Sequence, residues 1–118
     1  MKRKYKEGVD HLTNLINNFA VSSFLKPLLY SYRAYGYICL SKHGKALTDL
    51  QTIEKQSPLD KASAYNKLIC EGINSASQNQ FEQALSYFLK AQKLLPNKME
   101  PYFYRATTLI RFCNKLIP

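Results

Sequence analysis

The sequence predicts an all-α protein of six helices, and three observations carry that expectation. Apolar residues recur at steps of three and four along most of the chain, which marks amphipathic helices. β-Branched residues nowhere alternate with polar ones between turn dipeptides, so strand signals are absent. One arrangement of small, bulky and proline residues also occurs twice. KALTDLQTIEKQSP (45–58) and NQFEQALSYFLKAQKLLP (79–96) align Ala46 with Ala84, Leu50 with Phe88, Ile53 with Ala91 and Pro58 with Pro96. Self-similarity at a constant offset is the signature of a repeat architecture.

Each element follows from its own residues. Val9, Leu12, Ile16 and Phe19 form the first apolar stripe. A second helix is expected from about Pro27 to Ser41 and a third over 45–58. A fourth runs from about Asp60 to Ser77. The fifth carries Phe81, Ala84, Leu85, Phe88, Ala91 and Leu95 on one face and stops at Pro96, which cannot continue a helix. The sixth extends from about Met99 to Lys115. Pro27 and Pro101 fall in first turns, where a missing N–H costs nothing.

A chain of 118 residues suits one core. Apolar residues make up 46% and charged ones 21%, the balance of a soluble globular domain. Cys39, Cys70 and Cys113 are odd in number, widely spaced and without a CxxC pair, which argues against a disulfide framework or a zinc site. MKRKYKEGVDH runs into charge instead of an apolar core, so no signal peptide is expected and the predicted location is inside the cell. FAVSSFLKPLLYSY, the longest apolar stretch, is broken by Lys26 and Pro27 and is too short to cross a bilayer. The net charge of +9 favours acidic partners without choosing between protein and nucleic acid.

With Ala84, Phe88 and Pro96 in place, the pattern resembles the tetratricopeptide repeat, a helix-turn-helix unit with the form W-x2-L-G-x2-Y, A-x3-F and P. Gly72 then takes the small-residue place of the preceding helix. Two antiparallel helices need a residue without bulk where their backbones approach, here Gly72 and Ala84, and Phe88 one turn on fills the space they open. The other complete unit has Tyr30, Ala34 and Tyr37 in its first helix and Ala46, Leu50 and Pro58 in its second. Tyr102, Ala106 and Leu109 begin a third. Residues 1–26 are read as an N-terminal helix or diverged half repeat, 27–58 and 59–96 as repeats, and 97–118 as a half repeat or cap. Departures are clear: Arg33, Glu71 and Arg105 stand in the leucine place, Leu68 replaces tryptophan and Ser75 an aromatic. The second unit also carries four extra residues, assigned to its first helix or its internal turn.

The resemblance implies a right-handed α-α superhelix whose concave face binds a protein or peptide, without catalysis or cofactor. It puts Tyr35, Ile38, Asn66, Ile69, Ile73, Phe103 and Thr107 on that face, rimmed by Lys67, Arg105 and Arg111. Ser31, Tyr35, Tyr32, Asn66, Cys70, Glu100 and Tyr104 occupy the places where some family members hold a chaperone's C-terminal carboxylate with Lys, Asn and Arg, so no such clamp is expected. An amphipathic helix or extended peptide with aliphatic anchors and some acidity suits the face.

The alternative is nucleic-acid binding by a basic helical repeat, with KRKYK as the contact segment. Against it, that segment reads as a solvated, frayed terminus. His11 and His43 stand alone, and no HExxH, GxSxG or P-loop spacing occurs, so neither an enzyme nor a metal site is expected. In PYFYRATTLIRFCNKLIP apolar residues point nearly all round, although a terminal cap should turn a polar face outward. Either the chain is a piece of a longer repeat protein, the preferred expectation, or this helix packs on a partner such as a second copy.

Overall fold

The computed structural model describes residues 2–18 and 20–117, and among them every regular element is an α-helix. In order these are α1 (Lys2–Ile16), α2 (Lys26–Cys39), α3 (His43–Glu54), α4 (Lys61–Ser77), α5 (Phe81–Leu94) and α6 (Glu100–Leu116). The chain divides into two compact units, Met1–Ser63 and Ala64–Pro118.

In the first unit α1 packs on α2 and α2 on α3. Val9, Ile16, Ala34, Ala46, Leu50 and Ile53 are buried. Phe19, expected on the α1 stripe, lies outside the described residues. The α1–α2 approach is close at Gly36, where a Cβ would stand 2.7 Å from Val9 Cγ2. Arg33, in the leucine place of the repeat pattern, is turned toward a charged neighbour, Asp49. Its Nε and Nη2 donate to Asp49 Oδ2 and Oδ1 at 2.8 and 2.7 Å, while Nη1 donates to Thr13 Oγ1 at 3.2 Å. One α2 side chain thereby ties α3 and α1 together. The guanidinium also lies 5.4 Å from the ring centroid of Tyr30 and 5.6 Å from that of Tyr37, within cation–π range. Desolvation works against this charge, yet the bidentate Asp49 contact holds the Arg33 pKa above its ordinary value.

The basic start of the chain corrects the sequence reading: helix begins at Lys2 instead of fraying. Lys, Arg and Glu are good helix formers, and Arg3 sits one turn from Glu7 at 3.6 Å. α3 likewise ends at Glu54, earlier than expected. Pro58 disfavours helical backbone at the residue before it, and the N–H groups of Gln56 and Ser57 turn back on the Ile53 carbonyl.

The second unit has its core between α4, α5 and α6. Tyr65, Ile69, Ala76, Ala84, Phe88 and Ala91 form the buried cluster, with Leu68, Ile73, Leu94, Leu95 and Tyr104 packed against it. Gly72 of α4 faces the Phe88 ring so closely that a Cβ there would come within 2.8 Å of Cδ1 and Cζ. Phe88 stacks in turn on Tyr104 with centroids 5.3 Å apart, and Phe81 stacks on Phe112 at the same separation. Glycine at 72 is thus demanded by packing, not by backbone dihedral.

The α2–α3 and α4–α5 turns are built alike. Ser41 and Asn79, 38 residues apart, both adopt the left-handed region, at φ 60° and 61°. Lys42 N–H reaches the Tyr37 carbonyl and Gln80 N–H the Ser75 carbonyl, at 2.8 and 2.9 Å. The next bonds in, Ser41 to Ile38 and Asn79 to Ala76, complete the same Schellman closure. Since the turns match, the extra length of the second hairpin lies in its first helix, 17 residues in α4 against 14 in α2.

Candidate protein-binding faces

In the first unit, α2 packs inward through Ala34 and Arg33 and turns a different stripe to solvent. Leu25, Leu28, Tyr32 and Tyr35 recur at steps of three, four and three and are 48 to 58% exposed. Of the predicted face residues, Tyr35 lies on this stripe and Ile38 is half-buried. Beside it is a shallow groove of about 290 Å3 whose apolar lining comes from Phe24, Pro27, Leu28, Ile53, Pro58 and Leu59. Phe24, at 87% exposure, is the most exposed large apolar side chain of the described residues.

The groove has one polar side. Ser31 Oγ and Ser63 Oγ share a hydrogen bond at 3.1 Å. Asp60, the residue before α4, accepts the Ser63 N–H at 2.8 Å as a helix N-cap. That backbone donor, with the Ser63 hydroxyl, stabilises the carboxylate and lowers its pKa. Asp60 is therefore committed to the helix end, and the rest of the groove offers apolar surface.

In the second unit the predicted residues are distributed differently. Ile69 is buried in the core cluster, Ile73 packs against that cluster, and Asn66 is half-buried. Thr107 donates its hydroxyl to the Tyr104 carbonyl of its own helix at 3.0 Å. Phe103, by contrast, is 65% exposed. The expected basic rim is partly drawn inward. Arg105 Nη1 donates to Gln92 Oε1 at 2.7 Å, and Arg111 Nη2 donates to the Ala76 carbonyl at 3.1 Å with its guanidinium over the Phe81 ring.

Tyr32 and Tyr35 were each named from the sequence, but not the stripe they form with Leu25 and Leu28. The signal was available as a second three-and-four spacing on α2, out of phase with Ala34. Among the described residues no three His, Cys, Asp or Glu side chains gather in a way that would hold a metal ion, and no helix is long and apolar enough to cross a membrane. The chain matches no family model, no curated protein and no solved structure.

Proposed function

We propose that this chain is a tetratricopeptide-like repeat array, a right-handed superhelical scaffold that binds a partner protein inside the cell and catalyses no reaction. The single observation that carries the reading is the α2 stripe of Leu25, Leu28, Tyr32 and Tyr35 beside an apolar groove. Contiguous exposed apolar surface on a small domain marks an interaction site. The matched Schellman turns 38 residues apart and the Gly72–Phe88 apposition support the repeat reading.

The partner is an amphipathic helix or short peptide with aliphatic anchors for Leu28, Ile53 and Leu59 and acidic residues between them. The acidity matches a chain of net charge +9, with Lys26 and Lys61 adjoining the groove residues Pro27 and Asp60 in sequence. Ile38 is the other residue of this unit assigned to binding.

Selection of peptides from a random library on the wild-type chain, followed by titration against Leu28→Glu and Tyr35→Ala, tests this. Selected peptides should share aliphatic anchors and lose at least tenfold in affinity on both variants. Enrichment of nothing, or of peptides indifferent to both substitutions, rejects it. A steeply salt-dependent affinity for RNA or DNA, lost on deletion of residues 1–6, would replace it with the nucleic-acid reading.

A further inference from the structure

The outward side of α6 carries a pattern distinct from its inward one. Inward, Pro101, Tyr104, Thr108 and Phe112 step by three, four and four and are buried or half-buried, with Tyr104 and Phe112 stacked on α5. Outward, Tyr102, Leu109 and Leu116 recur every seven residues, and each is followed at once by a further apolar residue, Phe103, Ile110 or Ile117. Three residues ahead of each pair stand Met99, Ala106 and Cys113. All nine are exposed, from the N-cap at Met99 to the C-cap at Ile117. This is a strict heptad sustained for three cycles. A helix resting on one straight neighbour drifts out of such a register, whereas two helices coiling left-handedly about each other keep it.

We propose that this seam joins two copies of the chain through an antiparallel pair of α6 helices. The seam contains no charged residue, although the chain carries 17 Lys and Arg, so two copies meet there without apposing like charges. The area is sufficient. Met99, Tyr102, Phe103, Leu109, Ile110, Leu116 and Ile117 are 43 to 73% exposed. At roughly 200 Å2 for a large side chain, they present on the order of 800 Å2 of apolar surface, about what one partner contributes to a stable interface.

Direction follows from volume and from the flanks. Antiparallel pairing sets Tyr102 against Cys113 of the second copy, Ala106 against Leu109, and Met99 against Leu116, so large meets small or medium in every layer. Parallel pairing would set Ala106 against Ala106 and Tyr102 against Tyr102, leaving one layer hollow and another overfilled. In a parallel pair Ile110 would also face Arg105 of the second copy, whereas antiparallel pairing brings Phe103 to Ile110. The proposal is independent of the α2 reading, since it uses no residue of α2; Phe103 becomes a seam residue in it.

Light scattering and sedimentation equilibrium of the full chain across a hundredfold concentration range test this. The expected result is a reversible species at twice the 13.6 kDa of one chain. Ile110→Glu and Leu109→Glu should return it to 13.6 kDa with helicity unchanged, while Tyr32→Glu on α2 leaves the dimer intact. Mild oxidation of a Tyr102→Cys variant with oxidised glutathione should give a disulfide peptide joining positions 102 and 113. A wild-type chain monomeric at every concentration, a dimer untouched by both α6 substitutions, or a cross-link that joins 113 to 113 overturns the proposal. Peptide affinity measured on Ile110→Glu separates its failure from failure of the α2 reading.

Discussion

Gly72→Ala is a small substitution with a large expected consequence. On helix propensity alone it should stabilise, because alanine in a helix interior is favoured over glycine by about 1 kcal/mol. Gly8→Ala isolates that gain, since a Cβ at position 8 of α1 meets nothing within 4 Å. At position 72 the new methyl would come within 2.8 Å of Phe88 Cδ1 and Cζ. The ring has little room to retreat: Phe88 is 1% exposed and is itself stacked on Tyr104. Overpacking of this kind costs about 1–3 kcal/mol. Set against the propensity gain, the net loss expected is about 0–2 kcal/mol, or a Tm lower by up to about 8 °C for a domain of this size. Thermal and urea melts of Gly72→Ala, Gly8→Ala, Phe88→Leu and Gly72→Ala/Phe88→Leu measure it. In the shortened Phe88→Leu background the alanine should turn from destabilising to neutral or better, a coupling of about 2 kcal/mol. If Gly72→Ala raises Tm as Gly8→Ala does, or if the two sites prove additive, the close α4–α5 apposition is refuted.

Four further outcomes are expected. Asp49→Ala leaves the Arg33 guanidinium half-buried without its carboxylate and should cost about 3 kcal/mol in urea unfolding, whereas Arg33→Met/Asp49→Leu should recover most of it. Burial pushes the Cys70 thiol up to about 12 from 9.0, so the unfolded chain ionises first on the alkaline side. Stability from this group is fully present below pH 9.0 and is lost as the pH rises toward about 12, by no more than about 1.4 kcal/mol per pH unit. Urea melts of wild type and Cys70→Ala on either side of that lower value check the sign. With iodoacetamide Cys70 should be labelled only on unfolding, whereas Cys113, exposed on the single chain, should be labelled in the native Ile110→Glu monomer. Asp60→Ala removes the N-cap of α4 and should cost about 1 kcal/mol by thermal melt. Its carboxylate pKa is lowered in the fold, so this contribution is lost as pH falls through the carboxylate range.

Much of the architecture was legible because its signals are local. Apolar spacing and the prolines at 27, 58, 96 and 101 are enough to place six helices, and Pro27 and Pro101 do fall in first turns. The Gly72–Phe88 pairing could be inferred from one small and one bulky residue on neighbouring helices. What escaped depends on partners remote in sequence. Nothing near Arg33 announces that Asp49, 16 positions on, will neutralise it. Ile69 and Phe103 were read as equivalent face residues, yet Ile69 is enclosed by the core cluster while Phe103 stands out from α6. The heptad on α6 was hidden for another reason. Its inward and outward stripes interleave, so the helix looks apolar all round until burial separates the two.

If the exposed α2 stripe is a surface for an acidic, aliphatic-anchored peptide, its backbone amides must sense that peptide. Backbone amide NMR of the chain, titrated with a library-selected peptide, tests it most directly. Shifts should concentrate at Leu25, Leu28, Tyr32, Tyr35 and the groove residues Ile53 and Leu59, and Leu28→Glu should abolish them. Shifts confined to residues 2–8 of α1, or none on α2 at saturating peptide, would contradict it.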